Sequence, residues 1–413
     1  MPVLPAPPSG PAAADWVGEH LGHLSSDQPV ASGIPGGQAA ADAALAGLDL
    51  AGYARSRSQV LPRGTRGASV LSPYIRHGLL TLPQVWAAAA HAPAVDRTKY
   101  RDELLWQEYA RHLYARLGAE MSNSLRTQPP RTQAPRTQPP RTQAPRTRAP
   151  GTDAGESDPW RPDMACMATT MDELHRDGWV VNQTRMWLAS QWTVRGGRDW
   201  QDGEQRMFAQ LLDGSRAANR LGWQWTTGAG SAKPYGFSRS QVEKRAPGLC
   251  HTCALKKTCP IQQWPDAAPG PGLTPPAALS GGVTDAGPDT ALLTGQPELV
   301  WLTAESLGDH DPALLAHPDL PRVFVFDEPL LARLQLSGKR LIFLAQALAE
   351  LDCEVRLGDP VAELAGRPLA VTFAPVPGFR RRSAALDVAA LHPWPWLRRP
   401  TAGSLRSFSA WKP

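Results

Sequence analysis

The sequence predicts a mostly α-helical domain followed by a smaller α/β domain with a parallel sheet, and three observations carry that prediction. Apolar residues recur at helical spacing through most of residues 38–240. In the last third, short runs (ELVWLTA, RVFVFD, CEVRL) surround one helical stretch, GKRLIFLAQALAEL. Strands alternating with a helix are the pattern of a parallel sheet. Finally, 413 residues, 42% hydrophobic and 20% charged, give room for two buried cores.

Taken in order, residues 1–35 are rich in Pro, Ala, Gly and Ser and read as a loose tail. The helical domain is expected over 36–265. Its first helix begins near Gln38, and LTLPQVWAAAAHA and YRDELLWQEYARHLYARL follow as amphipathic helices. A five-residue repeat, RTQPPRTQAPRTQPPRTQAPRTRAP, then interrupts it over 126–152. Proline at that density removes donors and blocks helix and sheet, so an extended, disordered insert is expected. Helical patterns return from 160 to 222. A Pro/Gly/Ala-rich linker is expected over 266–297, the α/β domain over 298–400, and a short tail over 401–413.

The formal charge of +5 is concentrated in the repeat, where residues 126–148 hold six arginines and no acid. That run suits either a neutral repeat expansion or a salt-sensitive tether for phosphates. No apolar run approaches a bilayer span, and the first residues, MPVLPAPPSG, lack the basic start and apolar stretch of a secretion signal. A cytoplasmic monomer without membrane contact is the expectation. Five cysteines are too few for a secreted disulfide scaffold.

Four segments carry the chemistry. GWVVNQTRM begins at Gly178, DWQDGEQRMFAQLLDGSRAANRLGWQW runs from Asp199 to Trp225, and SVLSPYIRHG and ELLWQEYARHL lie upstream. In that order and spacing they resemble the FAD-binding domain of the photolyase/cryptochrome family. The resemblance implies FAD as cofactor, with Tyr53, Ser69, Leu71 and Ser72 around its phosphates and ribityl chain. Hydroxyls and backbone amides suit an anion there, although capping serines in a turn would look the same locally. It further implies that Arg185 and Asp213 form an ion pair against the isoalloxazine ring, and that Asn219 stands beside the flavin N5 edge. A neutral amide there tunes the cofactor without adding charge. Trp223 and Trp200 match the first two members of the family's electron-transfer chain. The third has no counterpart, since the repeat occupies that stretch, and Trp187 or Trp192 is the candidate substitute. Core packing would also explain every one of these tryptophans.

The resemblance also implies a substrate pocket for a base taken out of the duplex. Trp106 and Trp225 match the two walls that hold a cyclobutane pyrimidine dimer, and Arg57, Glu103, Asn182 and Met186 match its polar and soft contacts. Stacking of about 1–3 kcal/mol per base offsets a flipping cost of a few kcal/mol. There are departures. Gln107 and Gln183 stand where repair enzymes carry arginines, and Ser215 replaces an acid near the flavin. Val181 and Asn182 stand where (6-4) photolyases carry a histidine pair, which leaves the dimer as the better substrate.

Cys250-x2-Cys253-x5-Cys259, with Cys166 far upstream, suggests metal ligation more than disulfides. The set resembles the iron–sulfur branch of bacterial photolyases and cryptochromes, which implies a [4Fe–4S] cluster; structural zinc or free thiols remain the alternatives. Cys353 reads as an ordinary strand residue. The α/β domain resembles the family's antenna domain in permuted order, shortened, and with no identifiable residues for a folate or deazaflavin chromophore. Arg380, Arg381 and Arg382 form a short basic run, more often solvated than functional.

The leading expectation is therefore a blue-light, FAD-dependent DNA photolyase acting on damaged DNA. A cryptochrome-like photoreceptor without repair activity is the alternative, and a redox or nucleic-acid-binding protein that has lost its light function is a third.

Overall fold

A computed structural model describes residues 3–126, 158–229, 234–264 and 275–412. The Arg/Thr/Gln/Pro repeat lies outside the described residues, apart from Arg126. The last third forms the expected α/β unit. Strands β3 (Leu299–Leu302), β4 (Arg322–Asp327), β5 (Glu354–Gly358), β6 (Leu369–Thr372) and β7 (Val388–His392) are all parallel. They are edged by two short antiparallel strands, β1 (Val3–Leu4) and β2 (Leu292–Leu293), in the order β1-β5-β4-β3-β6-β7-β2.

Period-2 alternation divides the sheet between two cores. Val300, Leu302, Phe324, Phe326, Val355 and Ala370 face one, while Leu299, Trp301, Val323, Val325, Leu369 and Val371 face the other. The first core does not stop at the sheet. Through Phe343, on the helix Gly338–Leu348, it continues into Tyr74, Ile75, Leu79 and Leu80 of the helical domain. Phe343 lies 5.9 Å from the Tyr74 ring and 5.2 Å from His77. The two units share one core.

Segments expected as tails and linker carry structure. Residues 3–35 supply β1 and the helix Ala13–Leu21, whose Trp16, Val17 and Leu21 are buried against the sheet. Pro and Ala made this stretch look loose, but those three apolar residues recur at helical spacing and outweigh composition. Asp27 then accepts the Gly338 amide at 2.7 Å, which satisfies one orphan donor of that helix. Within 275–297, Leu279 is buried and β2 extends the sheet along β7. The 401–412 segment ends in the short helix Phe408–Trp411, docked on the long helix Ala94–Leu117.

In sheets of this order, the strand ends where β3 and β6 diverge form the usual ligand crevice. Here a turn of the helical domain packs beside the end of β3. His77 Nδ1 lies 2.7 Å from Ala304 O, the Leu307 amide donates to His77 O, and a side chain at Gly78 (φ +70°) would strike the Glu305 carbonyl. Nearby, Arg76 pairs with Glu305 at 2.7 Å and donates to Gly214 O at 2.8 Å. Arg340, fully buried, also donates to Gly214 O, at 3.3 Å, and lies 4.6 Å over the Phe208 ring. The α/β unit thus buttresses the loop that carries Asp213.

The C-terminal segment is held by a neutral histidine. His112 Nδ1 accepts from Trp411 Nε1 at 2.9 Å, so the ring proton sits on Nε2, 2.7 Å from Arg398 O. Burial lowers the His112 pKa to about 4. Below the ordinary value near 6.5 the unfolded chain gains a proton that the folded chain refuses. Stability is therefore complete above about pH 6.5 and falls by roughly 1.4 kcal/mol per unit, about 3 kcal/mol in all, as pH drops to about 4. Urea unfolding at pH 7 and pH 5 should show this slope, and His112→Gln should remove its share.

Among the described residues, no helix is long and apolar enough to cross a membrane.

Candidate functional site: a polar cradle and a four-cysteine cavity

The segment predicted to meet phosphates is a strained loop. Val70 has φ +57°, a left-handed conformation that a β-branched residue adopts only when its surroundings force it, at about 1–3 kcal/mol. Its neighbours are fixed by aromatic donors: Tyr100 donates to Ser69 Oγ at 3.3 Å and Trp179 Nε1 to Ser72 Oγ at 3.0 Å. Leu71 is buried at the N-cap of the helix Ser72–Arg76. Tyr53 opens the short helix Tyr53–Ser56 and meets Tyr100 edge to face at 5.0 Å. Burial pushes the Tyr100 phenol up to about 12 and Tyr53 higher still, the latter also because Glu103 is near, so both rings stay neutral donors.

Arg185 and Asp213 do form a fork, at 3.1 and 2.7 Å, with Arg185 Nε also donating to Val180 O at 3.0 Å. Asn219 follows on the helix Arg216–Thr227, whose N-cap is Ser215. It is 6% exposed, and its Nδ2 has no partner. A buried amide nitrogen without an acceptor costs about 1–3 kcal/mol, so this donor fits a missing polar ligand such as a flavin ring edge. Trp223, one turn on, is fully buried with its Nε1 also unpartnered. Trp200 is buried on the neighbouring helix Trp200–Gln210 and donates to Ser124 Oγ at 3.2 Å. Trp187 stacks instead on Phe237, at 5.8 Å.

The residues matched to a substrate pocket fall into two groups. Glu103 joins Arg57 (3.2 Å) and Lys99 (2.8 Å) beside Trp106 on the long helix. Trp106 itself is stacked at 4.0 Å and 9° on Phe408, and Lys412 pairs with Asp102 at 2.6 Å. Trp225 lies 5.6 Å from Tyr235. Tyr235 accepts from Gln183 Nε2 at 2.9 Å and donates to Gln241 at 2.6 Å. Asn182 is exposed, with its amide 3.7 Å from Met186 Sδ. Sequence reasoning missed Phe408, Trp411 and Tyr235. The aromatic spacing in FSAW was the available signal for the first two, and nothing local marked Tyr235.

The four cysteines converge. Cys166, in the first turn of the helix Ala165–Asp177, lines one cavity with Cys250, Cys253 and Cys259, walled by Met164, Leu249, Leu255, Pro260 and Ile261. All four are free thiols. Burial, and then the other three cysteines, push the Cys166 thiol up to about 12. Among the described residues, no three His, Cys, Asp or Glu side chains are drawn together as a ready metal site. The donor set is all sulfur, in a wall that is apolar apart from Arg239 and Lys256, and it fits a soft-metal centre. Cys353 lies elsewhere, against the shared core.

Residues 164–245 match the family model for the FAD binding domain of DNA photolyase, a span holding Cys166, Arg185, Asp213, Asn219 and Trp223. Among curated relatives, a deoxyribodipyrimidine photo-lyase of Thermus thermophilus is 31% identical over 56% of this chain and 52% of its own length. One of Synechococcus is 31% identical over 45% of this chain and 40% of its own. Among solved structures, a Synechocystis cryptochrome gives a TM-score of 0.42 at 20% identity, covering 53% of this chain and 45% of that one. Over residues 164–245 the chain is similar to the FAD binding domain of DNA photolyase, and its curated relatives of about 30% identity are photo-lyases. It spans about half, or less, of the length of the curated relatives it matches.

Proposed function

We propose that this chain is a flavin-dependent DNA photolyase that splits cyclobutane pyrimidine dimers under blue light, and that its four cysteines hold a [4Fe–4S] cluster. The observation that carries the flavin part is the buried Arg185–Asp213 fork with the unpartnered Asn219 amide on the next helix. Bound reduced FAD would supply the light-driven electron. The chain's own groups do the rest. Val70 and its neighbours present backbone and hydroxyls to the phosphates; Arg185 and Asp213 fix the ring; Asn219 offers it a neutral donor. Trp106 and Trp225 provide aromatic faces for an extruded pyrimidine dimer, with Glu103 and Arg57 as polar contacts. No general acid or base is needed for such a split.

For the metal, Cys166, Cys250, Cys253 and Cys259 match one thiolate per iron, and the largely apolar wall, with Arg239 and Lys256 as its cations, suits a retained anionic cluster. The cluster would supply a one-electron couple. A cryptochrome-like sensor is the second reading, favoured by Gln183 and Gln107. Gln183 is tied into Tyr235 rather than offering a charge to a phosphate backbone.

Cofactor content tests this reading. The purified protein should release about one FAD per chain and carry about four irons with matching sulfide, and Cys250→Ser should lose the iron. Zinc in place of iron would overturn the cluster, and a colourless protein without flavin would overturn the whole reading.

A further inference from the structure

We propose that Trp192 and Trp160 connect Trp223, at the flavin cradle, to the four-cysteine cavity as a path for single electrons. The inference rests on the flavin and cluster reading above. Three contacts place the path. Gly203, on the helix Trp200–Gln210, has a bare Cα between two indoles: a Cβ built there would collide with the Trp223 six-membered ring and lie 2.8 Å from Trp192 Cγ. Those two rings therefore approach each other with only a missing side chain between them. Trp192 is carried by the π-helical turn Gln191–Arg195, a one-turn irregularity of the kind found at functional sites. Its ring then meets Trp160 at 5.4 Å between centroids, tilted 56°.

Trp160 is the inner end. It is 2% exposed and shares one apolar cluster with Met164 and Cys166. Two tight turns, Arg161 N to Asp158 O (2.8 Å) and Met164 N to Arg161 O (3.0 Å), deliver the chain from Trp160 to the cavity wall. Arg206 lies over both of these rings, at 5.0 Å from Trp160 and 5.5 Å from Trp192. Its charge disfavours a resting indole cation, so a hole is passed on to the electron-rich thiolate centre rather than stored.

The electron count closes within the protein. With flavin and a metal centre bound, an electron lost by Trp223 to the light-excited flavin would be replaced from Trp192, that of Trp192 from Trp160, and that of Trp160 from the centre held by the four cysteines. The flavin would gain one electron, the centre would lose one, and every indole would end unchanged. No bond forms or breaks.

The test is blue light on the oxidised holoprotein under argon with no added donor, followed by absorbance for the flavin and electron paramagnetic resonance for the metal. In the unmodified protein, a signal from the oxidised centre should rise one for one as the flavin absorbance bleaches. Trp192→Phe and Trp160→Phe should each lose the metal signal while keeping flavin and iron content, and Trp301→Phe, in the core on the far face of the sheet, should keep it. Flavin reduction with a silent metal centre in the unmodified protein overturns the path, as does full transfer in Trp192→Phe. A preparation lacking flavin or iron overturns the cofactor reading itself, and this inference with it.

Discussion

Replacing Asp213 by alanine is expected to cost about 3–5 kcal/mol of stability and to empty the flavin cradle. Asp213 is 5% exposed and Arg185 19%, and among the described residues Asp213 is the carboxylate that meets that guanidinium, through two hydrogen bonds. Removing the acid leaves a largely buried cation with one carbonyl, Val180 O, for company. Asp213→Asn keeps the shape and should lose less. Urea unfolding gives the stability, and flavin retained after gel filtration gives the second readout. A variant as stable as the parent would mean that the pair is solvated in solution.

Phe343→Ala carries the second large effect, again about 3–5 kcal/mol. The ring is 1% exposed and is the joint at which the sheet's core meets Tyr74 and His77. Because the two units share that core, the loss should appear as one earlier transition, and flavin should leave with it. Two separate transitions, with flavin retained through the first, would show independent domains.

Much of this molecule was legible in the sequence, for physical reasons that can be named. Period-2 runs such as RVFVFD and the 3.6-period face of GKRLIFLAQALAEL report burial directly, so the parallel sheet and its helix were readable. The Arg185–Asp213 pairing, 28 residues apart, was not readable from spacing; only resemblance implied it, and the geometry then brought the two together. The N-terminal stretch was misread because Pro, Ala and Gly dominate its composition, while three apolar side chains decide its burial. Phe408 stacks on Trp106 across some three hundred residues of chain, and although the FSAW spacing marks an aromatic face, nothing local names its partner. Composition describes segments well when nothing else packs on them, and poorly when something does.

The central claim is light-driven repair, and one assay tests it most directly. Photoreduced protein is mixed with an oligonucleotide carrying a single thymine dimer, then lit with blue light while thymine absorbance is followed. The account predicts light-dependent recovery of that absorbance, lost in Trp106→Ala. A flavin-loaded, photoreducible protein that leaves the dimer intact would contradict it and point to a light sensor.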